Sequence, residues 1–191
     1  VKDRDSNSVN NNWSIWHRGL SSDTHNLYFT NGAEGDVTGG GSHGGIGDVT
    51  TTTFKAVDGS VDNKTANESG DDYIAYAWRN VTGKQKFDKY TGTGSDVTVN
   101  VGFRPGFLMV KWIKGGGASA EDWVIVDATR DPFNNLTKGL FPSTSGAEQD
   151  SATNNEVEFT STGFVVKNTD ARWNVNGGTY IYAAFAGSYS D

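Results

Sequence analysis

Four short segments from the first half of this chain recur, in the same order, in its second half, and this repeat constrains the fold more than any other feature. Trp13-Ser-Ile-Trp-His17 matches Trp123-Val-Ile-Val-Asp127, and Gly32-Ala-Glu34 matches Gly146-Ala-Glu148. Phe54, after a run of Thr, matches Phe164, after Thr-Ser-Thr-Gly. Asp72-Tyr-Ile-Ala-Tyr-Ala-Trp78 matches Thr179-Tyr-Ile-Tyr-Ala-Ala-Phe185. Each match alone is weak, but four collinear matches at offsets of 107 to 114 residues predict one structural unit used twice. Val1-Lys2 aligns with Val110-Lys111, which lies inside the apolar run Phe107-Leu-Met-Val-Lys-Trp-Ile-Lys114. The first copy is therefore expected to begin in the middle of its own first strand. The division is residues 1–85 for the first copy, 86–96 for a connector and 97–191 for the second, complete copy.

The period of the apolar residues says what the unit is made of. Val97, Val99, Val101 and Phe103 alternate with Thr98, Asn100 and Gly102, the pattern of a half-buried strand. Arg104-Pro-Gly106 reads as a tight turn and residues 107–112 as a returning strand, so 97–113 is expected to be a hairpin. Residues 157–159 and 163–167 form a second hairpin-like pair, and 13–16 and 123–127 are short apolar strands. Residues 73–78 and 180–186 are apolar on both faces, which predicts central strands covered on both sides. No segment carries a sustained helical period. Residues 39–47 read as a mobile Gly-rich loop, and the connector holds Phe87 and Tyr90, so it is expected to be ordered. The 25 Gly, with abundant Asn, Thr and Ser and six Trp, fit many short strands and turns. The fold class is all-β: two tandem divergent copies of a β-sandwich-like unit.

Composition narrows the function. The formal charge of −7 and the scattered basic residues argue against nucleic-acid binding. No apolar run is long enough for a membrane-crossing helix, and the absence of cysteine excludes disulfides and thiolate metal sites.

Lys86-Phe-Asp-Lys-Tyr-Thr-Gly-Thr-Gly94, Gly102-Phe-Arg-Pro-Gly-Phe107, Asp122-Trp-Val-Ile-Val-Asp127, Arg130-Asp-Pro-Phe-Asn134 and Gly177-Gly-Thr-Tyr-Ile-Tyr-Ala-Ala-Phe-Ala186 together resemble a repeated domain of unknown function in predicted virion proteins of marine bacteriophages. The resemblance covers nearly the whole chain and is strongest from about residue 73 onward. It implies a location, the phage particle and its tail or fibre, and carries over no reaction and no catalytic residue. The first copy departs from the pattern at His17-Arg18-Gly19, so a site in one copy need not exist in the other.

The residues that could carry chemistry are few. His17, His25 and His43 lack a metal-ligand spacing and have no counterparts in the second copy. Asp127, Arg130 and Asp131 could be read as a paired-carboxylate site, but an Arg–Asp contact holding a turn is the favoured reading. Acidic pairs at Asp58 and Asp62, Asp71 and Asp72, and Glu148 and Asp150 lack a full calcium-loop motif, which leaves a structural Ca²⁺ as the one open cofactor. Trp13 and Trp123, and Trp78 and Phe185, are repeat-equivalent, which argues for core packing. Trp112 and Trp173 flank polar loops and are the candidates for an exposed, glycan-stacking contact. No nucleophile elbow, phosphate loop or dinucleotide fingerprint is present.

These readings lead to a non-enzymatic structural or adhesion component of a virion, a tail fibre or spike, outside the cell. The alternatives are a glycan-binding module, a head-decoration protein and, last, a polysaccharide depolymerase. The expected partners are other virion proteins, further copies of the chain with a trimer favoured, and a cell-surface glycan.

Overall fold

The structure, a computed structural model, describes residues 1–5, 12–38, 44–59 and 65–187. It is nearly all β, with several antiparallel sheets and one short helix. The chain divides into two compact units, Val1–Phe29 with Glu34–Trp78, and Thr30–Ala33 with Arg79 onward.

The first unit is built from short strand pairs. β1 (Lys2–Asp3) pairs with β6 (Tyr73–Ile74), β2 (His25–Asn26) with β3 (Gly35–Asp36), and β4 (Gly45–Gly47) with β5 (Lys55–Val57), all antiparallel. A buried polar cluster ties them together. Asn26 Oδ1 accepts from Ser14 Oγ at 2.7 Å and from Ile46 N at 2.9 Å, and Asn26 Nδ2 donates to Ile46 O at 2.6 Å. A buried amide satisfied at both ends fixes register where so few apolar residues are present. The Gly-rich segment expected to be a loop contributes β4, while residues 39–43 lie outside the described residues.

The second unit is sandwich-like. One sheet has the order β10–β9–β15–β7, from β7 (Gln85–Thr91), β9 (Pro105–Gly115), β10 (Val124–Asp127) and β15 (Gly178–Ala186). The other has the order β13–β14–β8, from β8 (Val97–Asn100), β13 (Val157–Thr160) and β14 (Gly163–Val166). A small pair, β11 (Lys138–Gly139) with β12 (Gln149–Asp150), and one helical turn, α1 (Ala152–Asn155), complete it. The core lies between the sheets. Val99, Phe159, Phe164 and Val166 from one meet Tyr90, Leu108, Val110, Val126, Tyr180 and Tyr182 from the other. Tyr90 stacks on Tyr180 at 5.0 Å and 12°, and its hydroxyl donates to Trp173 O at 2.7 Å.

Several sequence expectations are corrected here. β8 and β9 are not a hairpin: β8 pairs with β14, and β9 with β10 and β15. The segment around Arg104 crosses from one sheet to the other, and Pro105 opens β9, where a missing N–H costs least. Gly106 follows because a Cβ there would strike the backbone of Gly187. The connector expected at 86–96 is mostly β7, an integral edge strand of the second unit. The hairpin expected near 157–167 is present as β13 and β14, with Thr160 opposite Gly163. Residues 180–186 do form a central, mostly buried strand, flanked by β9 and β7. Residues 73–78 do not. Only Tyr73–Ile74 is paired, and Ile74, Tyr76 and Trp78 are 37, 58 and 63% exposed. Their apolar character suggests burial, but burial needs neighbouring strands, and among the described residues β6 has one such neighbour, of two residues.

Candidate functional site

The two tryptophans expected at an exposed contact are buried. Trp112 is 3% exposed, because β9 is flanked on both sides, and its Nε1 donates to Gly115 O at 3.1 Å. Trp173 is fully buried in the core, with Nε1 3.4 Å from Asn155 Oδ1. The polar residues around Trp173 suggested exposure, yet they fold inward with it. Asn174 is buried, and its Nδ2 donates to Ser95 O at 2.7 Å and Asn168 O at 2.9 Å. Neither indole presents a ring face to a ligand.

The Asp127–Arg130–Asp131 cluster is a turn. Asp127 Oδ1 accepts from Thr129 N at 3.1 Å and Arg130 N at 2.9 Å, and Oδ2 from Arg130 Nε at 2.6 Å. Arg130 also pairs with Glu148. Burial works against the Asp127 carboxylate, but the hydrogen bonds and charge of Arg130 outweigh it and hold its pKa below the ordinary value. Asp131 Oδ2 accepts from Thr137 N at 2.7 Å and from Lys138 N at 3.3 Å. Both carboxylates are thus occupied in holding backbone.

His17 Nδ1 accepts from Gly19 N at 3.0 Å, and His25 Nδ1 lies 3.3 Å from Glu34 Oε2. His43 and Asp62 lie outside the described residues. Among the described residues no group of three or more His, Asp or Glu is arranged to hold a metal ion. Asp150 Oδ1 accepts from Thr137 Oγ1 at 2.6 Å. No helix among the described residues is long and apolar enough to cross a membrane.

What the first unit does present is a ladder of aromatic rings. Trp13 and Tyr76 lie 5.8 Å apart at 34°, and Tyr76 and Trp78 6.2 Å apart at 28°. Ile74, Tyr76 and Trp78 alternate with Ala75 and Ala77, and the contacts of Tyr76 with both tryptophans place these rings on one face. The opposite face, with Tyr73 and Ala75, borders a shallow cleft of about 330 Å³ that Phe54 and Glu68 also line. Sequence reasoning assigns Trp13 and Trp78 to the core through their counterparts Trp123 and Phe185, and matches Phe54 with Phe164. Trp123 and Phe164 are indeed buried, but Phe54 is 43% exposed. Phe185, the counterpart of Trp78, packs edge-on against Phe87 and Phe107 at 5.6 and 5.7 Å. Among the described residues, the ring contact of Trp78 is with Tyr76.

The family described as Domain of unknown function (DUF7483) matches residues 1–188, across both units, and the chain belongs to it. No curated protein and no solved structure matches the chain.

Proposed function

We propose that this chain is a non-enzymatic structural or adhesion component of a bacteriophage virion, of the tail-fibre or spike kind, built by tandem duplication of one β unit. A head-decoration protein is the closest variant of the same reading. Its assignment to a phage particle rests on the resemblance described above. The duplication is supported by paired hydrogen-bond registers. Lys2 opposes Ile74 as Lys111 opposes Ile181. Ser14 N donates to Val1 O where Val124 pairs with Val110. Ile15 and Leu27 exchange backbone bonds as Ile125 and Leu140 do. Glu68 N donates to Tyr73 OH, and Val175 N to Tyr180 OH, both at 2.8 Å.

The observation that carries the function is the row of Ile74, Tyr76 and Trp78, exposed among the described residues, with the half-buried Trp13 beside Tyr76. A contiguous exposed apolar face marks an interaction surface, and on a fibre component that surface serves assembly with further copies or with other virion proteins. A cyclic homo-oligomer, with three-fold symmetry first by analogy, supplies the valency that weak surface contacts need. Sedimentation velocity tests it. The wild-type chain should associate as concentration rises, and Tyr76→Asp/Trp78→Asp should remain monomeric with an unchanged melting temperature. A monomeric wild type at every concentration would remove the support.

A second reading is favoured by the ring geometry itself. Rings about 6 Å apart and within 34° of parallel form a platform on which sugar rings stack. Co-sedimentation with bacterial surface polysaccharide separates the two. Binding lost in the same double variant, from a wild type that stays monomeric, would favour glycan adhesion over assembly.

A further inference from the structure

The two main sheets of the second unit end in β10 and β7 on one side of the sandwich and in β13 and β8 on the other. An edge strand turns N–H and C=O groups outward, where they recruit another strand unless something takes them up. Three of these edges have partners. On β10, Ile125 exchanges both backbone bonds with Leu140, at 2.8 and 2.9 Å. On β13, Val157 does the same with Leu136, at 2.9 and 2.7 Å. Phe159, also on β13, meets a side-chain amide in place of a strand: its N donates to Asn134 Oδ1 at 2.8 Å, and its O accepts from Asn134 Nδ2 at 3.0 Å. On β7, the N–H groups of Gln85, Phe87 and Lys89 donate to Val81 O, Asn80 Oδ1 and Asp88 Oδ1 at 3.0, 2.7 and 3.0 Å.

The edge of β8 is open. Val101 N donates to Thr162 O at 2.9 Å, and in the same register Val99 lies opposite Phe164. Bonded and unbonded positions alternate along an antiparallel pair, so Val97 and Val99 bond to β14, while Thr98 and Asn100 turn their N–H and C=O groups to the free side. Among the described residues nothing bonds to those four groups. Thr98 and Asn100 are exposed, whereas Val99 belongs to the core and Val97 packs against it. The charges beside the strand narrow what fits. One place beyond the strand ends, the registers set Glu156, Lys167 and Asp96 side by side, and Lys167 N donates to Glu156 O at 2.9 Å. Lys167 Nζ lies 2.9 Å from Glu158, and that bond, with the charges of Glu158, Glu156 and Asp96, raises its pKa. Along the row the signs run negative, positive, negative, so the place beyond Asp96 suits a cation. A second copy of β8 would not supply one: the antiparallel pairing that uses Thr98 and Asn100 of both copies sets Gly102 beside Asp96.

We propose that β8 is a docking edge for an extended segment of a different polypeptide, which joins the β13–β14–β8 sheet as a further strand. Backbone bonds to Thr98 and Asn100 hold it, an apolar side chain lies beside Val99 on the core side, and a lysine or arginine lies beside Asp96. This contact uses none of the aromatic row of the first unit and stands or falls independently of it.

The probe is the capped peptide Thr-Val-Thr-Val-Lys, whose residues fall opposite Asn100, Val99, Thr98, Val97 and Asp96 in turn when it runs antiparallel. Titrated into isotope-labelled protein and followed by NMR, it should shift the amides of Thr98 and Asn100 and leave those of Ile125 and Phe159, on the closed edges, in place. The same peptide N-methylated at both threonines should cause no shift, because those are the N–H groups that face β8. Thr98→Pro removes an outward N–H and no bond within the sheet. It should weaken binding by about tenfold, the worth of one hydrogen bond, at an unchanged melting temperature. Asp96→Lys should reverse the preference towards a peptide ending in Glu. If Thr98→Pro fails to fold, the methylated peptide and Asp96→Lys carry the same test. No shift at Thr98 and Asn100 with millimolar peptide, or equal binding of the methylated peptide, overturns the proposal. Shifts of these amides with protein concentration alone would make a second copy the occupant and overturn it as well.

Discussion

Replacing Lys111 with Met should change how stability depends on pH, in a direction and amount set by the burial of one ammonium. Lys111 is fully buried. Burial lowers its pKa from 10.5 to about 8, against the opposing pull of the Asp122 and Glu121 carboxylates. Between these values the unfolded chain holds a proton that the folded chain has released, so stability rises with pH across that window. Below about pH 8 both states are protonated, and the folded chain bears the whole cost of the buried charge. A displacement of this size corresponds to about 3 kcal/mol, recovered as pH rises from about 8 towards 10.5. Lys111→Met keeps the apolar stem, removes the charge and leaves Asn31 O and Glu121 O without their donor. It should be close to neutral at pH 7 and should lose the rise. Tyr90 and Tyr180, whose pKa values burial raises, contribute the opposite trend above pH 10. They are common to both proteins and cancel in the difference. Urea unfolding followed by tryptophan fluorescence from pH 7 to 10 measures that difference directly. Parallel stability curves for the two proteins would refute the reasoning.

Core and surface members of the repeat pairs should separate in unfolding experiments. Phe164→Ala should cost about 3–5 kcal/mol, whereas Phe54→Ala, at its half-exposed counterpart, should cost under about 1 kcal/mol. Trp173→Ala should destabilise by about 3–5 kcal/mol and leave any polysaccharide binding of the remaining folded protein unchanged. Hydrogen exchange should be slowest in Gly178–Ala186 and fast in residues 75–78, and equal protection of the two would contradict the strand assignment. Asp127→Asn should weaken the 127–131 turn by about 1–2 kcal/mol, and a polysaccharide-cleaving activity that disappears with it would overturn the non-enzymatic reading.

What could be read from the sequence was what local pattern decides. Alternation placed Val97–Asn100, and a hairpin two residues wide at the turn placed Val157–Thr160 against Gly163–Val166. The repeat offsets aligned Lys2 with Lys111 and Tyr73 with Tyr180; in the structure Lys2 lies opposite Ile74 and Lys111 opposite Ile181. Choices between distant partners were not legible. Arg104-Pro-Gly106 is turn chemistry whether the chain doubles back in one sheet or crosses to the other, and here it crosses. Trp173 sits among Asn and Asp, which usually means surface, but those side chains bond inward. Trp78 and Phe185 share a pattern and a place in the repeat. What separates them is a strand, Gln85–Thr91, that supplies Phe87 to one and has no described counterpart beside the other.

The central claim, that the first unit's aromatic face is an assembly surface, is tested most directly by hydroxyl-radical footprinting across a concentration series. Tyr76 and Trp78 should be labelled in dilute protein and protected as the chain associates, while Trp112 and Trp173 stay unlabelled throughout. Labelling of Tyr76 and Trp78 that is the same in the associated and the dilute protein would contradict it.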